Sequence, residues 1–189
     1  MLLSIKQYGD PVLRVPCAPV EKVDLELNTL AVNMLETMYA AEGIGLAAPQ
    51  VGLGIRMVVI DIPEGEDDGD EDKTVLVNGE EKPMRSIMPL AFVNPTLEPY
   101  GKQTLCQEGC LSVRNIRSSV ARPSRVKATL HLLDGKVMEL DCGGLLARCL
   151  QHECDHLDGF LFTDRVSSAS KVTLSKRLKN LLHMNAQEE

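Results

Sequence analysis

The 189-residue sequence has no tryptophan and only three phenylalanines and three tyrosines. Its core must therefore be assembled from Leu, Val, Ile, Ala and Met, and extended stacking on single-stranded nucleic acid is excluded for want of aromatic faces. No stretch approaches the roughly 18 consecutive apolar residues of a membrane helix. The opening MLLSIKQYGDPVLR also lacks an apolar run of signal-peptide length. Basic side chains are in deficit, 20 against 27 acids for a net charge of −7, which argues against a general electrostatic grip on DNA or on an anionic membrane. The expectation is a soluble, unexported protein with no DNA and no membrane partner. A disulfide framework is not expected either. The six cysteines (17, 106, 110, 142, 149, 154) sit in a chain that has neither a secretory signal nor the small size such frameworks accompany.

What is present is ordinary for a globular protein: 44% hydrophobic and 25% charged residues, in a length that fits one domain spanning 1–189. Residues 24–41 (DLELNTLAVNMLETMYAA) place apolar side chains at 27, 30, 31, 34, 35 and 38, the spacing of an amphipathic helix. The glycines at 43, 45, 52 and 54 follow, implying a loop of unusual backbone or close approach. RMVVIDI (56–62) reads as a buried strand. Seven acids and two glycines in residues 64–72 repel one another and bury nothing, so a solvated, mobile loop is expected there, without the DxDxDG pattern of a calcium loop. It belongs to an excursion over 64–85. Asn78-Gly79 and Asp134-Gly135 read as hairpin turns between β-prone runs. The segment LLARCLQHECDHLDG is apolar on nearly every side and predicts a helix inside the core. A last amphipathic helix falls within 167–189 and carries Lys171, Lys176, Arg177 and Lys179.

Within the buried helix, QHECDHLDG places His152 and His156 four residues apart, on one face, where both imidazoles reach a single ion. Glu153 beside them can move a proton to and from water at that ion. Chance occurrence of HExxH on a solvated surface is the plain alternative, but a helix apolar almost all round would bury these polar groups at a cost of several kcal/mol unless a metal satisfied them. Downstream, a third ligand is hard to find. Phe162 stands where a third histidine would fall, no Glu occurs between Glu153 and Glu188, and only Asp164 and His183 remain. Upstream thiols are abundant. Cys149 lies about 10 Å of helix rise from His156 and Cys154 points away, leaving Cys17, Cys106, Cys110 and Cys142, among which spacing does not choose.

Three stretches together resemble the peptide deformylase family: GIGLAAPQ (43–50) matches its GxGxAAxQ element, EGCLS (108–112) its cysteine element, and QHECDHLDG its QHExDHLxG element. The resemblance runs from QYGDPVLR to LFTDRV and covers nearly the whole chain. It implies an α+β fold, with short mixed or antiparallel sheets packed around the central HExxH helix and a helix towards each terminus. It also implies that Cys110, His152 and His156 hold one divalent metal, with Glu153 as general acid/base and the Gln50 amide and Leu111 N–H meeting the oxyanion. Iron(II) is the usual in-cell ion, and zinc, nickel or cobalt suit the same donors. The substrate implied is an N-formylmethionyl nascent peptide, bound beside Gly43, Ile44, Gly45, Glu108 and Gly109, with Ile44, Cys106, Leu145, Arg148 and Cys149 around the methionine side chain. Formate is released. Position 148 is commonly apolar in relatives, so Arg148 is expected to line the pocket with its stem while its charge reaches solvent. Some bacterial relatives dock on the ribosome through the C-terminal helix. The resemblance places the protein in a bacterial-type cytoplasm, an organellar origin being the alternative. A zinc endopeptidase using the same His, Glu, His set and a structural site with four protein ligands are the competing readings.

Overall fold

The computed structural model describes residues 1–65, 69 and 72–188 of the chain. Most of the acidic run read as a solvated loop (66–68, 70 and 71) lies outside the described residues. Helix α1 (Leu25–Ala40) starts where the sequence places it, with the Asp24 carboxylate accepting a hydrogen bond from Leu27 N at 3.0 Å, which satisfies a donor at the helix start. Among the described residues seven strands follow: β1 (Gly45–Ala47), β2 (Met57–Ile60), β3 (Val75–Val77), β4 (Glu80–Glu81), β5 (Leu90–Cys110), β6 (Val113–Leu132) and β7 (Val137–Gly143). They form one sheet in the order β1-β2-β5-β6-β7-β3-β4, and every pairing between them is antiparallel.

The α+β class agrees with the sequence reading; the lengths of the strands do not. β5 and β6 run for 21 and 20 residues as one long hairpin rather than as short strands. Register shifts after Val93, Tyr100 and Gly109 bend this pair. Such bulges increase twist and re-aim side chains, and the last shift delivers Cys110 to the hairpin tip. Both dipeptide turns fall as expected, Asn78-Gly79 between β3 and β4 and Asp134-Gly135 between β6 and β7.

Strand alternation splits the core in two. In β2, Val58 and Ile60 face one hydrophobic cluster with Leu146 and Leu150, whereas Met57 and Val59 face another with Leu27, Met34 and Met38 of α1. Successive strand side chains point to opposite faces, so the sheet carries α1 on one side. On the other lies helix α2 (Gly144–Leu157), buried at every residue but Leu145. The short helix α3 (Phe162–Arg165) and the terminal helix α4 (Ser168–Glu188) close a third cluster, where Leu174 and Leu181 pack with Val113, Ile116, Val120 and Phe162. This cluster lies behind the tip of the β5–β6 hairpin, and half-buried Cys110 packs against it.

Candidate metal centre

The two histidines of α2 meet Cys110 at the end of β5. Ligand atoms of Cys110, His152 and His156 all lie within 4.8 Å of one another, with Cys110 Sγ 3.2 Å from His156 Nε2. Among the described residues no other Cys, Asp or Glu joins them, so of the four thiols left open by spacing only Cys110 is brought to the histidines. The downstream candidates are elsewhere. Asp164 pairs with Arg14 at 2.5 Å and accepts from Leu161 N at 2.7 Å, and His183 is exposed on α4.

A buried ion network orients this cluster. His152 Nδ1 lies 3.0 Å from Glu108 Oε2, which leaves Nε2 for an ion and fixes the ring, the arrangement by which a carboxylate behind a ligating histidine raises its basicity. Glu108 accepts two hydrogen bonds from Arg122, at 2.7 and 3.0 Å. Arg122 donates also to Asp155 at 2.8 Å, and Asp155 accepts from Arg165 at 2.6 Å. Burial works to raise the Glu108 carboxyl, but the hydrogen bonds and charges of His152 and Arg122 outweigh it and hold the group at about 2. Arg122, Asp155 and Arg165 were not identified from the sequence. Asp155 lies inside the HExxH stretch and could have been questioned there, whereas the two arginines carry no local signal.

The surroundings fit a cation. Burial opposes charge on His152, yet the Cys110 thiol and Glu108 outweigh it and raise the ring well above its ordinary value, so this position favours positive charge. Burial, with the charges of His152 and Arg122, lowers His156 well below its ordinary value, which leaves the neutral imidazole that ligates metals. Glu153 is 4% exposed and its Oε2 has no hydrogen-bond partner among the described residues. Burial pushes its carboxyl up to about 7. A buried, unpaired carboxylate poised near neutrality beside a Cys/His/His cluster is suited to accept and return a proton.

Gln50, which would ordinarily be a surface amide, is 1% exposed. Its Oε1 accepts from Ala47 N at 2.8 Å, and its Nε2 points at Cys110 Sγ (3.4 Å) and Ser112 Oγ (3.2 Å). Leu111 follows the thiol, with its carbonyl accepting from Gln7 Nε2 at 3.2 Å. Two glycines of the 43–54 segment, Gly43 and Gly45, are explained by crowding within the protein. A Cβ on Gly45 would stand 2.5 Å from Glu153 Oε1 and 2.9 Å from Cys149 Sγ, and one on Gly43 would meet Leu111 Cδ1 at 2.7 Å. Only glycine lets β1 approach α2 this closely.

Beside the cluster, Ile44 and Leu145 are half-buried against the core that contains Cys149, and Cys149 Sγ lies 3.9 Å from the Ile44 carbonyl. Burial raises the Cys149 thiol well above its ordinary value, so it lines this region as a neutral group. Cys106 is half-buried on β5 and Gly109 lies under the Arg117 side chain. One expectation needs correction. Arg148 does not send its charge to solvent: it is 7% exposed, with Nη2 donating to Thr104 Oγ1 at 2.9 Å and Nη1 3.7 Å from Glu108 Oε1, because those partners sit across α2 on the inward face of β5. Glu108 directs its carboxylate to Arg122 and His152, with Oε1 also 3.7 Å from Arg148 Nη1, so its side chain orients a ligand.

Comparison with known proteins gives a consistent answer. A family model described as polypeptide deformylase matches residues 2–172. The chain is 39% identical over 189 residues to a peptide deformylase of Acinetobacter baumannii, covering 100% of this chain and 96% of that one. It is 44% identical over 181 residues to a peptide deformylase of Novosphingobium aromaticivorans, covering 94% and 96%. Among solved structures, the fold is similar to a peptide deformylase from Ehrlichia chaffeensis, with a TM-score of 0.81, 32% identity and coverage of 98% and 99%. A peptide deformylase from Synechococcus elongatus in complex with actinonin gives a TM-score of 0.75 at 37% identity, covering 96% and 85%. No helix among the described residues is long and apolar enough to cross a membrane.

Proposed function

The chain belongs to the polypeptide deformylase family, and we propose how its own residues carry out that family's metal-dependent reaction, the removal of the N-formyl group from nascent peptides. Cys110, His152 and His156 would hold one divalent ion, which would supply the Lewis acidity that activates water for attack. Iron(II) is the ion we assign in the cell, although a thiolate with two imidazoles also accommodates zinc, nickel or cobalt. Glu108, through Nδ1 of His152, keeps that ring in the tautomer that ligates.

Water attacks the formyl carbon and its proton passes to Glu153 Oε2. The carbonyl oxygen, becoming an oxyanion, accepts hydrogen bonds from the Gln50 amide and the Leu111 N–H. Glu153 then returns the proton to the departing amine nitrogen, so formate and a free amino terminus result. The observation that carries these roles is the buried Glu153 oxygen without a partner beside the three ligating atoms. The substrate main chain lies along Gly43–Gly45 and Gly109. Among the described residues β1 is an edge strand paired only with β2, which leaves its other side for an added strand. Ile44, Cys106, Leu145, Arg148 and Cys149 receive the methionine side chain.

We assign the whole of 1–189 to one catalytic domain, with 64–85 as an excursion from it, working in a bacterial-type cytoplasm. The exposed Lys171, Lys176 and Lys179 of α4 form its ribosome contact. Formate release from formyl-Met-Ala-Ser by anaerobically purified protein, with metal content measured on the same sample, tests the assignment. Absence of formate from metal-loaded protein would overturn it. Changing the three lysines to glutamate should abolish co-sedimentation with ribosomes, and undiminished co-sedimentation would remove the ribosome contact alone.

A further inference from the structure

Lys6, Gln7 and Tyr8 belong to no helix or strand, yet they bind both segments that carry the oxyanion donors. Lys6 N donates to the Gln50 carbonyl at 2.7 Å, and Tyr8 N to the Ser112 carbonyl at 2.7 Å. Between them, Gln7 Nε2 donates to the Leu111 and Ile5 carbonyls, each at 3.2 Å. Leu111 and Ser112 are the two turn residues at the tip of the β5–β6 hairpin, between paired Cys110 and Val113. Two-residue hairpin turns are ordinarily of the types whose left-handed residues match the twist of the strands, and they favour Asn-Gly or Asp-Gly. Here the residues are Leu and Ser, and neither has a positive φ. The turn therefore lacks the intrinsic geometry that suits the end of a twisted hairpin. Both of its carbonyls are bonded instead by the N-terminal segment.

We propose that Gln7 is a positioning residue for deformylation: by holding the Leu111 carbonyl it fixes the turn whose Leu111 N–H meets the oxyanion. This rests on the deformylase reading and adds a residue to its machinery. A Leu111 carbonyl without that bond leaves the residue free to change φ and ψ, and the N–H moves with it. On its other side the turn is packed, since a Cβ on Gly43 would stand 2.7 Å from Leu111 Cδ1. Gripped by Gln7 and packed against Gly43, the donor is in place before substrate arrives, the condition under which it stabilises developing charge most strongly. Two observations set Gln7 apart from a residue kept for stability. Its Oε1 is buried without a hydrogen-bond partner among the described residues, which costs the fold rather than supporting it. Its side chain also borders an open groove of about 420 Å³ with Ser4, Thr37, Ala41 and Leu111, away from the hydrophobic clusters.

The test measures kcat and KM for formyl-Met-Ala-Ser and for its thioformyl counterpart, with metal-loaded wild type, Gln7→Met and Gln7→Glu. Both variants keep the length of the side chain and remove the amide donor. A group displaced by about 1 Å costs up to about a hundredfold in rate, so kcat for the formyl substrate should fall about tenfold or more in both variants, with KM and metal content within about twofold of wild type. Sulfur accepts hydrogen bonds weakly, so the thioformyl substrate draws less on the Leu111 N–H and its kcat should fall by no more than about threefold. The affinity of the ion for sulfur is common to wild type and variants and cancels in the comparison. A formyl kcat within about twofold of wild type in either folded variant overturns the proposal. Equal losses with the two acyl groups, or loss of folding in both variants, would make Gln7 a structural residue and overturn it as well. No formate from wild type with formyl-Met-Ala-Ser refutes the deformylase roles themselves, whereas formate with unmoved variants refutes only the part given to Gln7.

Discussion

Replacing Glu108 by glutamine removes the anion that joins His152 to Arg122 while leaving the shape of the side chain. The wild-type carboxyl is held at about 2 against an ordinary 4.5, and that difference corresponds to about 3 kcal/mol of folding stability at pH 7. Glutamine still accepts one hydrogen bond, and Arg122 keeps Asp155, so about 2–3 kcal/mol is the expected loss. The sign follows from proton binding. With the folded value depressed, the unfolded chain binds more protons between pH 2 and 4.5, so this stability is present above about 4.5 and is lost as pH falls towards 2. Urea unfolding of the metal-free proteins, in chelator, should therefore show a gap between wild type and Glu108→Gln that is full at pH 7 and reduced to about half near pH 3. A second readout is metal affinity, which should fall about 10- to 100-fold in chelator competition when the carboxylate behind His152 is lost. A stability gap that does not change between pH 7 and pH 3, or unaltered metal affinity, would refute the assignment of Glu108 as the group that charges and orients this ligand.

Glu153→Gln should retain metal and lose about 10²- to 10⁴-fold in formate release; retained turnover would remove Glu153 as the proton carrier. Its effect on stability is opposite to that of Glu108. The carboxyl is raised to about 7, so the folded metal-free protein binds the extra proton and loses stability as pH rises from 4.5 to 7, and Glu153→Gln should be the more stable form at pH 8 in urea titrations. Gly45→Ala puts a methyl 2.5 Å from Glu153 Oε1; displacing that carboxylate should lower kcat about tenfold or more in the formate assay, and full activity would show that the crowding relaxes without moving Glu153. Leu181→Ala, in a helix residue 7% exposed, should cost about 2–3 kcal/mol in urea titration, because α4 completes the cluster behind Cys110. A negligible cost would mean that α4 is not part of the folded unit.

Helices α1 and α4 were legible because their apolar residues recur at helical spacing, α2 because it is apolar on nearly every side, and two hairpin turns because Asn-Gly and Asp-Gly are local instructions. The β5–β6 pair was not. Its middle, including the exposed Glu98, Pro99, Tyr100, Gly101 and Lys102, has no buried face to impose alternation, and it is strand only because the partner strand supplies hydrogen bonds. At the site, the histidines and Glu153 could be read from spacing on one helix. Cys110 could not be chosen by spacing, since the choice depends on a register shift at the hairpin tip. The Glu108–Arg122–Asp155–Arg165 chain joins β5, β6, α2 and α3, and such side chains become neighbours only after the sheet has formed. Arg148 was read as a surface-reaching stem because a long cation usually finds water; the inward face of β5 offered it Thr104 and Glu108 instead.

Helix α2 is both the carrier of two metal ligands and the element around which the sheet closes, buried at every residue but Leu145. Opening it far enough to expose the amides of His152 or His156 would uncover most of the larger hydrophobic cluster. Those amides should therefore exchange hydrogen for deuterium only through global unfolding, at the slow limit of the whole molecule. Many enzymes place their reacting groups on loops that loosen well below the melting temperature. Here warming should leave the ligand geometry intact until the fold itself fails, so activity and tertiary structure are expected to vanish in the same transition.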